Sequence, residues 1–243
     1  MKTKKYLLAA LVWVACFVFL FYSARAIDNP YSYYFPFVVK SGDTPQPTQP
    51  SGEVSILSHN AYVPYEGSND LYIVGEVKNN TNSNIGFVSV KATLRDSSGT
   101  LVDVASSYTM VSTLSPGEKS PFQIMFFYLE PWTSYELSVN WDTTAQVSYP
   151  LMVLSVNKSY DPLGDFHLVG EVVNQYSEPR TWVKAVATLY DMSGNVIGAE
   201  TTYVDPYDLD PGQTATFDIL AMSWKGKNVG NLVGTFTLQA YSD

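Results

Sequence analysis

Leu71-Tyr72-Ile73-Val74-Gly75-Glu76-Val77-Lys78-Asn79 returns as Phe166-His167-Leu168-Val169-Gly170-Glu171-Val172-Val173-Asn174, 95 positions later. Four further segments keep that spacing. Ala92-Thr93-Leu94-Arg95-Asp96-Ser97-Ser98-Gly99 matches Ala187-Thr188-Leu189-Tyr190-Asp191-Met192-Ser193-Gly194, and Tyr108 matches Tyr203. Ser115-Pro116-Gly117-Glu118 matches Asp210-Pro211-Gly212-Gln213, and Phe122 matches Phe217. One register held across five segments marks a duplicated unit. The spacing widens to 101 between Tyr135 and Phe236, so the second copy carries six extra residues around Lys225 to Gly234.

Inside each copy the hydrophobic period is two. Val88, Val90, Ala92 and Leu94 alternate with Ser89, Lys91, Thr93 and Arg95, and Val183, Ala185, Ala187 and Leu189 alternate with Lys184, Val186, Thr188 and Tyr190. Such alternation is the pattern of a half-buried strand. The Asp96 to Gly99 and Asp191 to Gly194 segments read as turns, because Asp bonds the backbone ahead of it and Gly accepts positive φ. About seven short strands per copy predict an all-β chain of two tandem immunoglobulin-like sandwiches. Their expected limits are 53–142 and 147–243, arranged end to end across a short linker.

The first 26 residues predict export. Lys2, Lys4 and Lys5 precede an uncharged run from Tyr6 to Tyr22, and Ala24-Arg25-Ala26 follows. These are the three parts of a signal peptide. The run of 17 residues covers about 25 Å of a hydrocarbon core about 30 Å thick, so an uncleaved anchor is the alternative. Either way residues 27 onward lie outside the cytoplasm. The membrane is then touched only through residues 6–22, and only if they are retained. Residues 27–52 hold an apolar patch, Tyr31 to Val39, and a Pro/Ser/Thr-rich spacer, Ser41 to Gly52.

Composition removes several function classes. The chain has 243 residues, a net charge of −9, 46% hydrophobic and 15% charged residues. Without its first 26 residues the net charge is −13, which repels nucleic-acid phosphates. Cys16, the single cysteine, lies in the apolar run, so the repeats hold no disulfide, thiolate nucleophile or cysteine metal ligand. Only His59 and His167 are present, and no nucleophile elbow or phosphate loop occurs. No cofactor and no catalysis are expected, although a carboxylate pair of the hydrolase kind leaves no mark in a sequence.

Three features bear on binding. Asp205, Asp208 and Asp210 form the densest acidic cluster and are a weak candidate for Ca²⁺, against the reading of a solvated turn. Trp182, Val186 and Tyr190 form an apolar outward stripe in the second copy, where the first has Phe87, Lys91 and Arg95. The stripe reads as a face for a glycan or protein at the cell envelope, or as one covered by neighbouring loops or by the other domain. Asn79-Asn80-Thr81 and Asn157-Lys158-Ser159 are glycosylation sequons.

Gly-Glu-Val-x-Asn, Leu189-Tyr190-Asp191, the glycine turn and Asp210-Pro211-Gly212 before Phe217 resemble the FxLYD domain, a family of exported prokaryotic proteins. Both copies share the resemblance, with Ala187 at the family's Phe and Arg95 at its Tyr. It implies an Ig-like sandwich and no catalytic residues. The expected role is a non-catalytic exported cell-surface protein that is structural, adhesive or protein-binding; the alternatives are carbohydrate binding and a hydrolase.

Overall fold

The computed structural model describes residues 53–65, 67–221 and 229–242. The export segment 1–26, the spacer 27–52 and Cys16 lie outside the described residues, as does part of the segment that carries the extra residues of the second copy. Among the described residues the chain is all-β, relieved only by one 3-10 turn at Val229–Asn231. No helix among them is long and apolar enough to cross a membrane.

The first copy runs β1 (Val54–Tyr62), β2 (Leu71–Asn79), β3 (Ile85–Arg95), β4 (Leu101–Tyr108), β5 (Thr113–Leu114), β6 (Lys119–Phe126) and β7 (Ser134–Thr143). The second runs β8 (Tyr149–Tyr160), β9 (Phe166–Val173), β10 (Lys184–Tyr190), β11 (Val196–Tyr203), β12 (Thr214–Ala221) and β13 (Thr235–Ser242). In the first copy β1-β2-β6 form one antiparallel sheet, and β3 pairs with β4, β5 and β7 in another. Leu71, Ile73, Phe122 and Ile124 of the one meet Val88, Val90, Ala92 and Leu94 of the other in a common core.

The second copy repeats these pairings. Leu94 lies opposite Tyr135 and Leu189 opposite Phe236, so the wider spacing at the last strand is kept in the register. The first strands are offset by 97, not 95: Ser58 faces Glu76, and Ser155 faces Glu171. A single Arg180–Leu209 bridge replaces the short pairing of Ile85 with Leu114. Strand β8 pairs with β13 through Tyr149 to Leu151 and with β9 from Met152 onward, which joins the layers into one six-stranded sheet.

The repeated motif residues have packing roles. Gly75 and Gly170 lie under the rings of Phe122 and Phe217, where a side chain has no room. Asn79 and Asn174 are fully buried. Asn79 Nδ2 donates to the carbonyls of Ser83 and Leu114 at 2.8 and 2.9 Å, and its Oδ1 accepts from the Thr81 N–H. Asn174 does the same with Glu178, Leu209 and Tyr176. Such an amide satisfies buried backbone groups that no strand reaches. Burial also closes the first sequon at Asn79 to modification of the folded chain, whereas Asn157 is exposed. Asp96 and Asp191 each hold two backbone N–H groups of their turns, as their spacing predicts.

The copies do not sit end to end. The outer face of β1-β2-β6 packs on the outer face of β10 and β11, with Tyr62, Val74, Val196 and Ala199 in one buried cluster. The reason is the apolar stripe of the second copy. Strand β3 alternates, burying Val88, Val90, Ala92 and Leu94, whereas β10 is buried without interruption from Ala185 to Leu189. Lys91 and Arg95 keep the outer face of β3 in water; Val186 and Tyr190 put the same positions of β10 against the other copy. Each buried valine contributes about 1.5–3 kcal/mol.

Polar contacts fix that seam. The Tyr190 hydroxyl donates to Glu76 Oε1 at 2.7 Å, and Lys119 Nζ lies 3.2 Å from Glu76 Oε2. The Val196 N–H donates to Ser58 Oγ at 3.1 Å. Burial, and then the bond to Glu76, pushes the Tyr190 hydroxyl up to about 12. Glu76 is buried and its counterpart Glu171 is exposed, so one motif residue has two opposite environments.

Candidate binding surface

Trp182 stands at the entrance to β10 with φ 54°, and Phe87 has φ 50° at the matching place in the first copy. The left-handed residue turns its ring outward while Val183 enters the core. The Trp182 N–H donates to Asp208 Oδ1 at 3.1 Å, and Val183 N–H to the Tyr207 carbonyl at 2.8 Å. These bonds bring the loop after β11 alongside. Tyr207 stacks on Trp182 with ring centroids 5.0 Å apart and planes 13° apart. Tyr203, at the end of β11, meets Trp182 edge-on at 6.0 Å and Tyr207 at 6.4 Å. The three rings remain 58%, 55% and 45% exposed, an apolar patch of the kind that marks a contact surface. The first copy has only Phe87 and Tyr108 here, because Ser112 stands where the second has Tyr207.

The predicted stripe is therefore divided. Trp182 joins the exposed cluster. Val186 is 1% exposed and Tyr190 is half-buried, both against the first copy, so neither lies on a free face. Sequence reading missed Tyr203 and Tyr207 as members of the surface. No local periodicity joins them, since Tyr203 ends a strand and Tyr207 sits in the loop beyond it.

The acidic cluster is not assembled. Among the described residues no three His, Cys, Asp or Glu side chains converge to hold a metal ion. Asp208 is bonded to the Trp182 backbone, while the backbones of Asp205 and Asp210 are engaged with Thr216 and Gln213. Nearby, the Arg180 guanidinium lies between two rings, 3.7 Å from the Tyr149 centroid and 4.4 Å from that of Tyr176. It fills the place of the buried Ile85 of the first copy and ties the start of β8 down.

The histidines are far from a shared site. His167 Nδ1 lies 2.6 Å from Asp218 Oδ1 across β9 and β12, a pairing that only strand register reveals. Ser159 is opposite His167 on β8, but His167 Nε2 makes no hydrogen bond. His59 Nδ1 is 2.8 Å from the Tyr135 hydroxyl, and burial holds its pKa below the ordinary 6.5. The unfolded chain therefore binds a proton at a higher pH than the folded one. The stability contributed by neutral His59 is complete above about pH 6.5 and is lost as pH falls toward its folded pKa. A His59→Gln variant is expected to flatten the decline of melting temperature as pH falls below about 6.5. Parallel declines in parent and variant, read by circular dichroism, would refute this role.

The chain matches no protein-family model, and no curated protein matches it.

Proposed function

We propose that this is a non-catalytic, exported protein of the cell surface, built from two tandem Ig-like sandwiches and acting as a structural and adhesive element. The aromatic cluster Trp182–Tyr203–Tyr207 is its contact surface. The observation that carries this reading is that three large rings stay in water while the rest of the predicted stripe is covered by the first copy. Rings held by backbone bonds present area at little entropic cost, which suits recognition. The resemblance to the FxLYD domain agrees with this proposal, since the motif residues Gly170, Asn174, Asp191 and Phe217 are occupied in packing and turns.

A second reading, glycan binding, is favoured by the ring of Trp182, which Tyr207 stacks against and which is still more than half exposed. One experiment separates the two. Binding of the full chain is measured to immobilised envelope protein and to purified envelope polysaccharide. A Trp182→Ala, Tyr207→Ala variant is expected to lose about thirtyfold in affinity for the true target with its fold intact. Unchanged binding to both would remove the cluster from the function. Fractionation of cells with N-terminal sequencing tests export in parallel.

A further inference from the structure

The seam between the copies joins two unlike faces. The first copy contributes the outer face of β1-β2-β6 and the second that of β10-β11. Each copy owns one face of each kind, so among the described residues every molecule retains one of each unmatched. These are the outer side of β3-β4-β7 in the first copy and the outer side of β8-β9-β12 in the second.

The unmatched faces keep the positions that make the seam. In the first copy Leu101, Val104 and Arg95 stand where the second has Val196, Ala199 and Tyr190, with Leu101 and Val104 both exposed. In the second copy Ser155, Val169 and Glu171 stand where the first has Ser58, Val74 and Glu76. Two side-chain acceptors of the seam, a serine hydroxyl and a glutamate, are thus present again. What changes is charge. Lys91 and Arg95 replace Val186 and Tyr190 on one face, which also carries Glu136 opposite Thr93 and, at its far end, Asp142 opposite Gly86. On the other face Glu171 is exposed, and Asp218 replaces Gln123. The Lys91–Arg95 pair on β3 is complementary to Glu171 and Asp218 on the other face.

We propose that copies of this chain associate head to tail, the β8-β9-β12 face of one molecule docking on the β3-β4-β7 face of the next. The contact repeats the internal seam, with Arg95 donating to Glu171 where Tyr190 donates to Glu76. Leu101 and Val104 cover Val169, and the Leu101 N–H donates to Ser155 Oγ. Such an interface is heterologous, so it builds open filaments unless its rotation closes a ring. The spare faces are then the growing ends of a fibre whose repeat is one copy, not one chain.

The test is sedimentation velocity of the full chain in a nonionic detergent, which masks the apolar run of residues 6–22. The parent is expected to form a concentration-dependent series of oligomers that weakens at about 1 M salt, where the screening length is about 3 Å. Arg95→Glu alone and Glu171→Arg alone should each weaken association at least tenfold, roughly. Mixing the two variants should restore it, because each supplies the charge the other now requires. Val104→Glu should weaken association as well. Lys91→Glu replaces Arg95→Glu if the latter lowers the melting temperature. A parent that stays monomeric at every concentration overturns the proposal, as do oligomers indifferent to both reversals or a mixture that fails to recover.

Discussion

Replacing Val186 by Glu will divide the thermal unfolding of this protein into two transitions. Val186 is 1% exposed, yet it points away from the core of its own copy and toward the first. Its own core keeps Ala185, Ala187 and Leu189, so the second copy retains its packing. The new carboxylate meets an apolar surface that also holds the buried Glu76, whose partner Lys119 is already engaged. An unpaired charge in such a place costs about 3 kcal/mol or more. The parent should melt in one transition, because the seam couples the copies. Calorimetry showing one transition at the parental temperature for Val186→Glu would mean that the copies are not coupled through this face.

Gly170→Ala is expected to destabilise the second copy by about 3 kcal/mol, at or above the usual range for overpacking. A Cβ at Gly170 would overlap the Ser155 carbonyl oxygen and lie 2.6 Å from Phe217 Cζ. The oxygen belongs to backbone that is paired in the sheet, so it has nowhere to move. Gly75 faces the same two neighbours in the first copy, Phe122 Cζ at 2.5 Å and the Ser58 oxygen at 2.7 Å. Gly194 provides the comparison: it has φ 81° and open space around it, so Gly194→Ala should cost only the strain of a left-handed residue, about 1–2 kcal/mol. Urea midpoints for the two variants should fall in that order with an unchanged slope. Equal midpoints would show that the Phe217 contact does not constrain position 170.

Much of the architecture was legible because two local signals agree with each other. Period-two alternation named the core side of β3 correctly at Val88, Val90, Ala92 and Leu94. The Asp and Gly turns followed from side-chain geometry within four residues. The same rule was incomplete for β10. It placed Val183, Ala185, Ala187 and Leu189 inside, as observed, but it could not say that Val186 and Thr188 are buried as well. Their cover comes from the first copy, where β6 packs against β10 from far off in the chain, and alternation reports one face only. The end-to-end arrangement expected from the short linker fails for the same reason: linker length limits distance, whereas the buried apolar area selects the contact.

Of the candidate surface, Trp182 was visible as an outward aromatic and its companions were not. Tyr203 reaches it across a strand pair and Tyr207 through a loop held by Asp208, so their meeting depends on register and backbone bonds. The His167–Asp218 contact has the same origin.

Duplication, strand periodicity and turn chemistry are properties of neighbours in the chain, and the sequence alone determined them here, together with the core side of each repeated strand. Which outer faces would be covered, where the three rings would gather and how differently Glu76 and Glu171 would be housed were decided by the tertiary structure. Those outcomes arise from non-local burial, in which Val74 of one face and Val186 and Val196 of the other gain more by leaving water together than any of them can by itself.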